Sequence, residues 1–148
     1  MATITEYLEI ILNGNDLTFE QAKALQDRIF EGEVTEVQIA AFLAMMRMKR
    51  ATSAEMAGLA QSLRDHAVPV NVEIDNLVDT CGTGGAVIKT FNISTAAALV
   101  AAGAGVYVAK HGNRGITSRC GSADVLDELG VKIDPGPDVV AECIRRAH

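Results

Sequence analysis

Tryptophan is absent from this sequence, and two tyrosines and four phenylalanines are all its aromatic residues. An aromatic platform on which nucleobases could stack is therefore not expected. Cysteine is scarce and odd in number: Cys81, Cys120 and Cys143 show no CxxC spacing. Such a set offers neither a disulfide framework nor a zinc site and fits reduced thiols in a cytosol. No apolar run reaches the roughly 18 residues that a membrane helix needs. The start, Met1-Ala2-Thr3-Ile4-Thr5-Glu6, has neither the basic nor the apolar region of a signal peptide. Positive charge is in the minority, with 13 Lys and Arg against 19 Asp and Glu and a net charge of −6. An acidic chain without basic blocks is a poor general nucleic-acid binder. The expectation is a cytoplasmic protein with neither a membrane nor a nucleic-acid partner. Hydrophobic residues make up 49% of 148, ample for a core, and the length suggests one domain, or one domain with a small appendage.

Charge and glycine are unevenly distributed. Residues 1–75 hold twelve of the acids and six of the bases, whereas the remainder is neutral. Only Gly14, Gly32 and Gly58 lie in the first half, and the other ten glycines run from Gly82 onward. Between Asp79 and Asp124 there is no acid, yet Lys89, Lys110, His111, Arg114, Arg119 and eight glycines are found there. A cationic, glycine-rich segment in an acidic chain points to a small anionic ligand approached closely by backbone. Chance clustering in a solvated loop is the alternative.

The first half reads as four short helices packed antiparallel. Capping boxes begin at Thr3…Glu6, Thr18…Gln21, Thr35…Gln38 and Thr52…Glu55, each opening an apolar-periodic run. Asn13-Gly14-Asn15-Asp16 and Glu31-Gly32-Glu33 supply turn residues between them. The third run, from Val37 to Met48, leaves little polar face, and such a helix is buried or lies at an interface. A subunit contact is favoured, because few other helices are available to cover every side. Nothing in this half has the makings of a catalytic centre, and His66 reads as a surface residue near a helix end.

The second half reads as a βαβ unit. Leu77–Cys81 has a strand pattern, Gly82-Thr83-Gly84-Gly85 follows, Ile93–Ala102 is a compact apolar helix, and Val106–Ala109 is a second strand. Ser122 is placed to cap a helix from Ala123 to Leu129, Val131–Ile133 is a candidate third strand, and Pro135 and Pro137 open a last helix. The expected fold is thus α/β with an all-α subdomain over 1–70, followed over 71–148 by an incomplete, mainly parallel sheet. A sheet of two or three strands is barely a domain, which suggests part of a longer design.

Glycine loops at strand ends ahead of helices are where α/β proteins place anions, because free amides and the helix dipole favour negative charge there. Gly82-Thr83-Gly84-Gly85 fits neither the dinucleotide nor the Walker pattern, and by itself it equally suits a tight turn. Thr90-Phe91-Asn92-Ile93-Ser94-Thr95 surrounds a helix start with an amide and hydroxyls. That set suits a diphosphate and, through Ser94, a hard cation, although ordinary N-capping is the alternative. Lys110-His111-Gly112-Asn113-Arg114-Gly115 follows the second strand on the same sheet edge. Lys110 offers a point charge and Arg114 a bidentate clamp.

The segments Asp79-Thr80-Cys81-Gly82-Thr83-Gly84-Gly85, TFNIST at 90–95, KHGNR at 110–114 and GSADVLDELG at 121–130 resemble, in order and spacing, the anthranilate phosphoribosyltransferase family over the whole chain, as the front part of its pattern. The resemblance implies transfer of the phosphoribosyl group of 5-phosphoribosyl diphosphate to the amine of anthranilate in tryptophan biosynthesis. Diphosphate leaves, and magnesium is the cofactor. It implies substrate contacts at Gly82, Gly85, Ala86, Thr90, Asn92, Ile93, Ser94 and Thr95, with Ser94 also a magnesium ligand. The substrate site continues through Lys110, His111, Gly112, Asn113, Arg114, Gly115, Ile116, Thr117 and Ser118 to Ser122. Gly82 and Asn113 would also touch anthranilate, and His111 would line its pocket unless it is a loop histidine bonded to main chain. No catalytic residue is assigned. A homodimer through the helical subdomain is expected. Ala86 stands where the family usually has Asp, while Gly115, Thr117 and Cys120 are mild departures. The family's downstream Asp-Glu pair for magnesium and its anthranilate-binding arginine have no counterpart before His148, so the expectation is a fragment without turnover of its own. A pyrimidine nucleoside phosphorylase relative and a non-catalytic dimerising module are the alternative readings.

Overall fold

A computed structural model describes residues 2–82, 91–115 and 120–148. The chain forms two compact units, Met1–Ala67 and Val68–His148.

The first unit holds helices α1 (Ile4–Leu12), α2 (Phe19–Phe30), α3 (Glu36–Lys49) and α4 (Ser53–His66). Each starts at one of the four threonines, and in each the hydroxyl accepts from the N3 amide while the N3 side chain reaches back to the cap. Two donors orphaned by the helix start are satisfied reciprocally in this way. The dominant packing joins α2 to α4, with α1 resting on α3. Gly58 permits the α2–α4 approach, since a Cβ there would lie 2.3 Å from the Phe19 carbonyl oxygen. Tyr7, Ile11, Leu17, Leu25, Phe42 and Met46 are core side chains of this unit. On α3 only Phe42 and Met46 are buried, while Val37 and Met48 are 80% and 84% exposed.

Polar groups are also buried in this unit, and they are paired. The fully buried Glu55 accepts from the Leu17 amide at 2.8 Å, the Thr52 amide at 2.7 Å and Lys49 Nζ at 2.8 Å. Burial opposes its charge, but the Lys49 ammonium and the Thr52 and Leu17 amides prevail and hold its carboxyl below the usual range. Between α2 and α4, the buried Ser62 hydroxyl donates to Asp27 at 2.6 Å. Lys23 bridges Asp27 and Asp65 at 3.0 and 2.9 Å.

The second unit holds α5 (Ile93–Gly103), α6 (Ser122–Glu128) and α7 (Pro137–Ala147). The expected sheet is reduced, among the described residues, to one parallel bridge between Val78 and Val108. It is made by Val78 N–H to the Tyr107 carbonyl and Ala109 N–H to the Val78 carbonyl, both at 2.9 Å. The candidate third strand does not form. Gly130, at φ 85°, reverses the chain so that the Val131 amide donates back to Leu126 O at 2.9 Å, serving the end of α6 instead of a ladder. Gly105, at φ 87°, ends α5 by the same device. The cap of α6 is Gly121 rather than Ser122, with the Asp124 carboxylate accepting the Gly121 amide. Ser122 turns its hydroxyl to Asn113 instead. Among the described residues no helix is long and apolar enough to cross a membrane.

Candidate functional site

The Val78–Val108 bridge sets the residues after each of its two segments side by side. Asp79 joins them: its Oδ1 accepts the Cys81 amide at 2.9 Å and the His111 amide at 3.2 Å. Burial pushes against ionisation of Asp79, but hydrogen bonds from Cys81 and the His111 amide, with the Lys110 charge, hold it below the usual carboxylate range. The same carboxylate, hydrogen bonded to the Cys81 thiol, holds that thiol above its usual value.

The start of α5 is tied to both bends. The Thr80 hydroxyl donates to the Ser94 carbonyl at 2.8 Å, and Lys110 Nζ donates to Ser94 Oγ at 3.1 Å. Asn92 is the N-cap of α5 without a capping side-chain bond, and its Nδ2 lies 3.5 Å from the Gly121 carbonyl. Thr95, one turn into the helix, is buried with its hydroxyl oxygen unpartnered among the described residues. A buried hydroxyl without a partner carries a desolvation cost of about 1–3 kcal/mol.

Side-chain oxygens already hold most amides of the 110–115 bend. His111 N–H goes to Asp79, Asn113 N–H to Ser122 Oγ at 3.2 Å, Arg114 N–H to Asn113 Oδ1 at 2.8 Å, and Gly115 N–H to Asp124 Oδ2 at 2.8 Å. Arg114 pairs with Asp124 at 3.2 Å and Asp127 at 3.1 Å, so it is engaged as an internal counter-ion and an anion would have to displace two aspartates to reach it. The main-chain amides of this bend are thus largely committed within the protein. Gly112 keeps Ser122 close, since a Cβ at Gly112 would stand 3.0 Å from its hydroxyl.

Of the residues expected in the site, Gly82, Asn92, Ile93, Ser94, Thr95, Lys110, His111, Gly112, Asn113, Arg114, Gly115 and Ser122 are described. Bonds and contacts link Ser94 to Lys110, Asn113 to Ser122 and Asn92 to Gly121. Gly85, Ala86, Thr90, Ile116, Thr117 and Ser118 lie outside the described residues. Two residues that lie within the motifs but were not expected in the site, Asp79 and Asp124, organise the bends. Their signal was available: an Asp two residues before an amide in a turn (Asp79…Cys81), and an Asp three residues after a glycine cap (Gly121…Asp124).

The donor set argues against a complete magnesium site in these residues. The hydroxyl of Ser94 accepts the Lys110 ammonium, and no group of three His, Cys, Asp or Glu side chains able to hold a metal occurs among the described residues.

Comparison with known proteins matches both units. Residues 5–67 match the glycosyl transferase family, helical bundle domain, and residues 74–148 match the glycosyl transferase family, a/b domain. The anthranilate phosphoribosyltransferase of Methanopyrus kandleri is 51% identical over 137 residues, 93% of this chain and 40% of that protein. The anthranilate phosphoribosyltransferase of Persephonella marina is 49% identical over 144 residues, 97% of this chain and 42% of that protein. The crystal structure of anthranilate phosphoribosyltransferase from Thermus thermophilus superposes with a TM-score of 0.80 at 40% identity, over 93% of this chain and 42% of that one. The chain thus spans about two fifths of the length of these relatives.

Proposed function

The chain belongs to the glycosyl transferase family, and from that premise we propose that it supplies the helical part and the first diphosphate-binding portion of an anthranilate phosphoribosyltransferase. The reaction is attack of the anthranilate amine on the anomeric carbon of 5-phosphoribosyl diphosphate, with loss of diphosphate. The amine gains the phosphoribosyl group and loses a proton to water, and the leaving oxygen takes the electron pair of the broken bond. Catalysis is then a matter of positioning and of stabilising charge on the leaving diphosphate. Lys110 supplies the cationic charge, and Asn92, Ser94 and the unpartnered hydroxyl of Thr95 supply polar contacts at the start of α5. Gly82, Ile93, Gly112 and Ser122 border the same space, and Asn113 and His111 form the side toward anthranilate. Ser94 would be the described residue nearest in kind to a magnesium ligand, and a bound magnesium ion would supply charge stabilisation for the leaving diphosphate. The described residues do not hold it alone, and no step here depends on it.

The observation that carries this reading is the pair of bonds placing Lys110 Nζ and the Thr80 hydroxyl on Ser94, which gathers a cation and hydroxyls at one helix start. Calorimetric titration of the 148-residue chain tests it. Heat with phosphoribosyl diphosphate, lost in Lys110→Ala, is the expected outcome. Binding of inorganic phosphate with a pyrimidine nucleoside instead would favour a nucleoside phosphorylase.

Self-association through the helical unit is part of the proposal. Val37, Ala41, Ala44 and Met48 stand exposed at helical spacing along α3, an apolar stripe that a second copy would cover. Sedimentation of wild type and Val37→Glu should separate dimer from monomer at micromolar concentration.

A further inference from the structure

Asp124 is the residue through which the 113–115 limb and the start of α6 are held together. Its Oδ2 accepts the Gly115 amide at 2.8 Å and the Gly121 amide at 2.8 Å, and its Oδ1 accepts Arg114 Nη1 at 3.2 Å. The two limbs lie flat on each other. Asn113 O accepts the Ala123 amide at 3.1 Å, and Asn113 N–H reaches Ser122 Oγ at 3.2 Å. There is no room for a side chain at Gly121: a Cβ would stand 2.4 Å from Asn113 O and from Gly115 N. The contact between limbs is thus largely backbone on backbone, fastened at both amides by the Asp124 carboxylate, with Asp127 reaching the same limb only through Arg114.

We infer that Asp124 is a positioning residue of the phosphoribosyl diphosphate site, its carboxylate clasping Gly115 to Gly121 so that Lys110 and Asn113 hold their places opposite α5. This rests on the proposed function. Asp124 itself is an anion beside a site for a polyanion, so its charge alone would weaken binding. Arg114 offsets that charge within the clasp.

The two roles have opposite signs, which makes the test sharp. Phosphoribosyl diphosphate with magnesium is titrated calorimetrically into the full chain and into Asp124→Asn, Asp124→Ala and Gly121→Ala, with ¹⁵N spectra of the same samples. Asparagine keeps an oxygen able to accept both amides, so affinity within about threefold of wild type is expected. Asp124→Ala should weaken binding by on the order of tenfold, and Gly121→Ala should do the same with no change of charge. Tighter or unchanged binding in Asp124→Ala, or a tenfold loss in Asp124→Asn, overturns the inference. Should Asp124→Ala lose its helical circular dichroism, Gly121→Ala and Asp124→Asn decide by the same thresholds. Should the wild-type chain bind nothing, the functional reading falls by itself. The clasp is then judged on the Gly115 and Gly121 amide resonances, which should move in Asp124→Ala and stay in Asp124→Asn. Resonances unmoved in Asp124→Ala overturn it.

Discussion

Arg50 closes α3 with φ 65° and ψ 106°, a conformation that costs a residue with a Cβ but not glycine. Arg50→Gly should therefore raise stability by about 0.5–1 kcal/mol, read as a higher thermal midpoint of the first unit. Asp79 and Asp124 carry a different consequence. Burial opposes the shift at Asp79 and is outweighed by its bonds to Cys81 and His111, while the Gly115 and Gly121 amides lower Asp124, so both titrate below the ordinary aspartate value of 3.8. A carboxyl depressed by folding stabilises the fold above its unfolded value, and that contribution disappears as pH falls through the depressed one. The His111, Gly115 and Gly121 amides should stay constant from neutral pH down to about pH 4 and shift together below it in an NMR titration. Midpoints above pH 4 for these amides would contradict the bonding. At this scale the motifs revealed which residues gather, such as Ser94 and Lys110, but not which groups hold them. Asp79 and Asp124 act through main-chain amides whose positions depend on the fold, and a string of residue types does not display those.

The helices of the first unit announce themselves because a capping box is a local contract among four residues, satisfied at Thr3, Thr18, Thr35 and Thr52 without help from elsewhere. Strand pairing is the opposite case, since a ladder needs a partner distant in sequence. Val131–Ile133 has the composition of a strand, yet Gly130 gives the Val131 amide to the end of α6, and a local bond prevails over a non-local one. The α2–α4 contact depends on the missing side chain at residue 58. Gly58→Ala would gain helix propensity but drive a Cβ to 2.3 Å from Phe19 O. Steric displacement outweighs propensity, so a net loss of about 1–3 kcal/mol is expected. Denaturant titration of that variant, with an unchanged slope and a lower midpoint, would bear this out.

Among the described residues the two units differ in how much they bury. Nine side chains form the core of the first, whereas in the second Ala98, Ala141 and Ile144 are the buried hydrophobic residues among those described. Leu99 and Val100 of α5 remain exposed, so a helix apolar on nearly every side contributes little burial. Stability follows buried apolar area. Amides of α1–α4 should therefore exchange more slowly with deuterium than those of α5–α7, and limited proteolysis should release the first unit intact. Equal protection in both units would refute this. Composition is divided too, with twelve of the acids and all four threonine capping boxes before residue 75 and ten of the glycines from Gly82 onward. The thinness of the second core was not legible, because apolar content says nothing of how many faces find a neighbour.

Glu55 has a consequence for how the first unit can fail. One ion receives the entry to α2 at Leu17, the last turn of α3 through Lys49, and the start of α4 at Thr52. Three helices thus share a single fastening, and none can fray at that corner without stranding a charge that the other two must then solvate. Melting should be concerted there, and any rearrangement of the bundle has to begin at the opposite end of these helices.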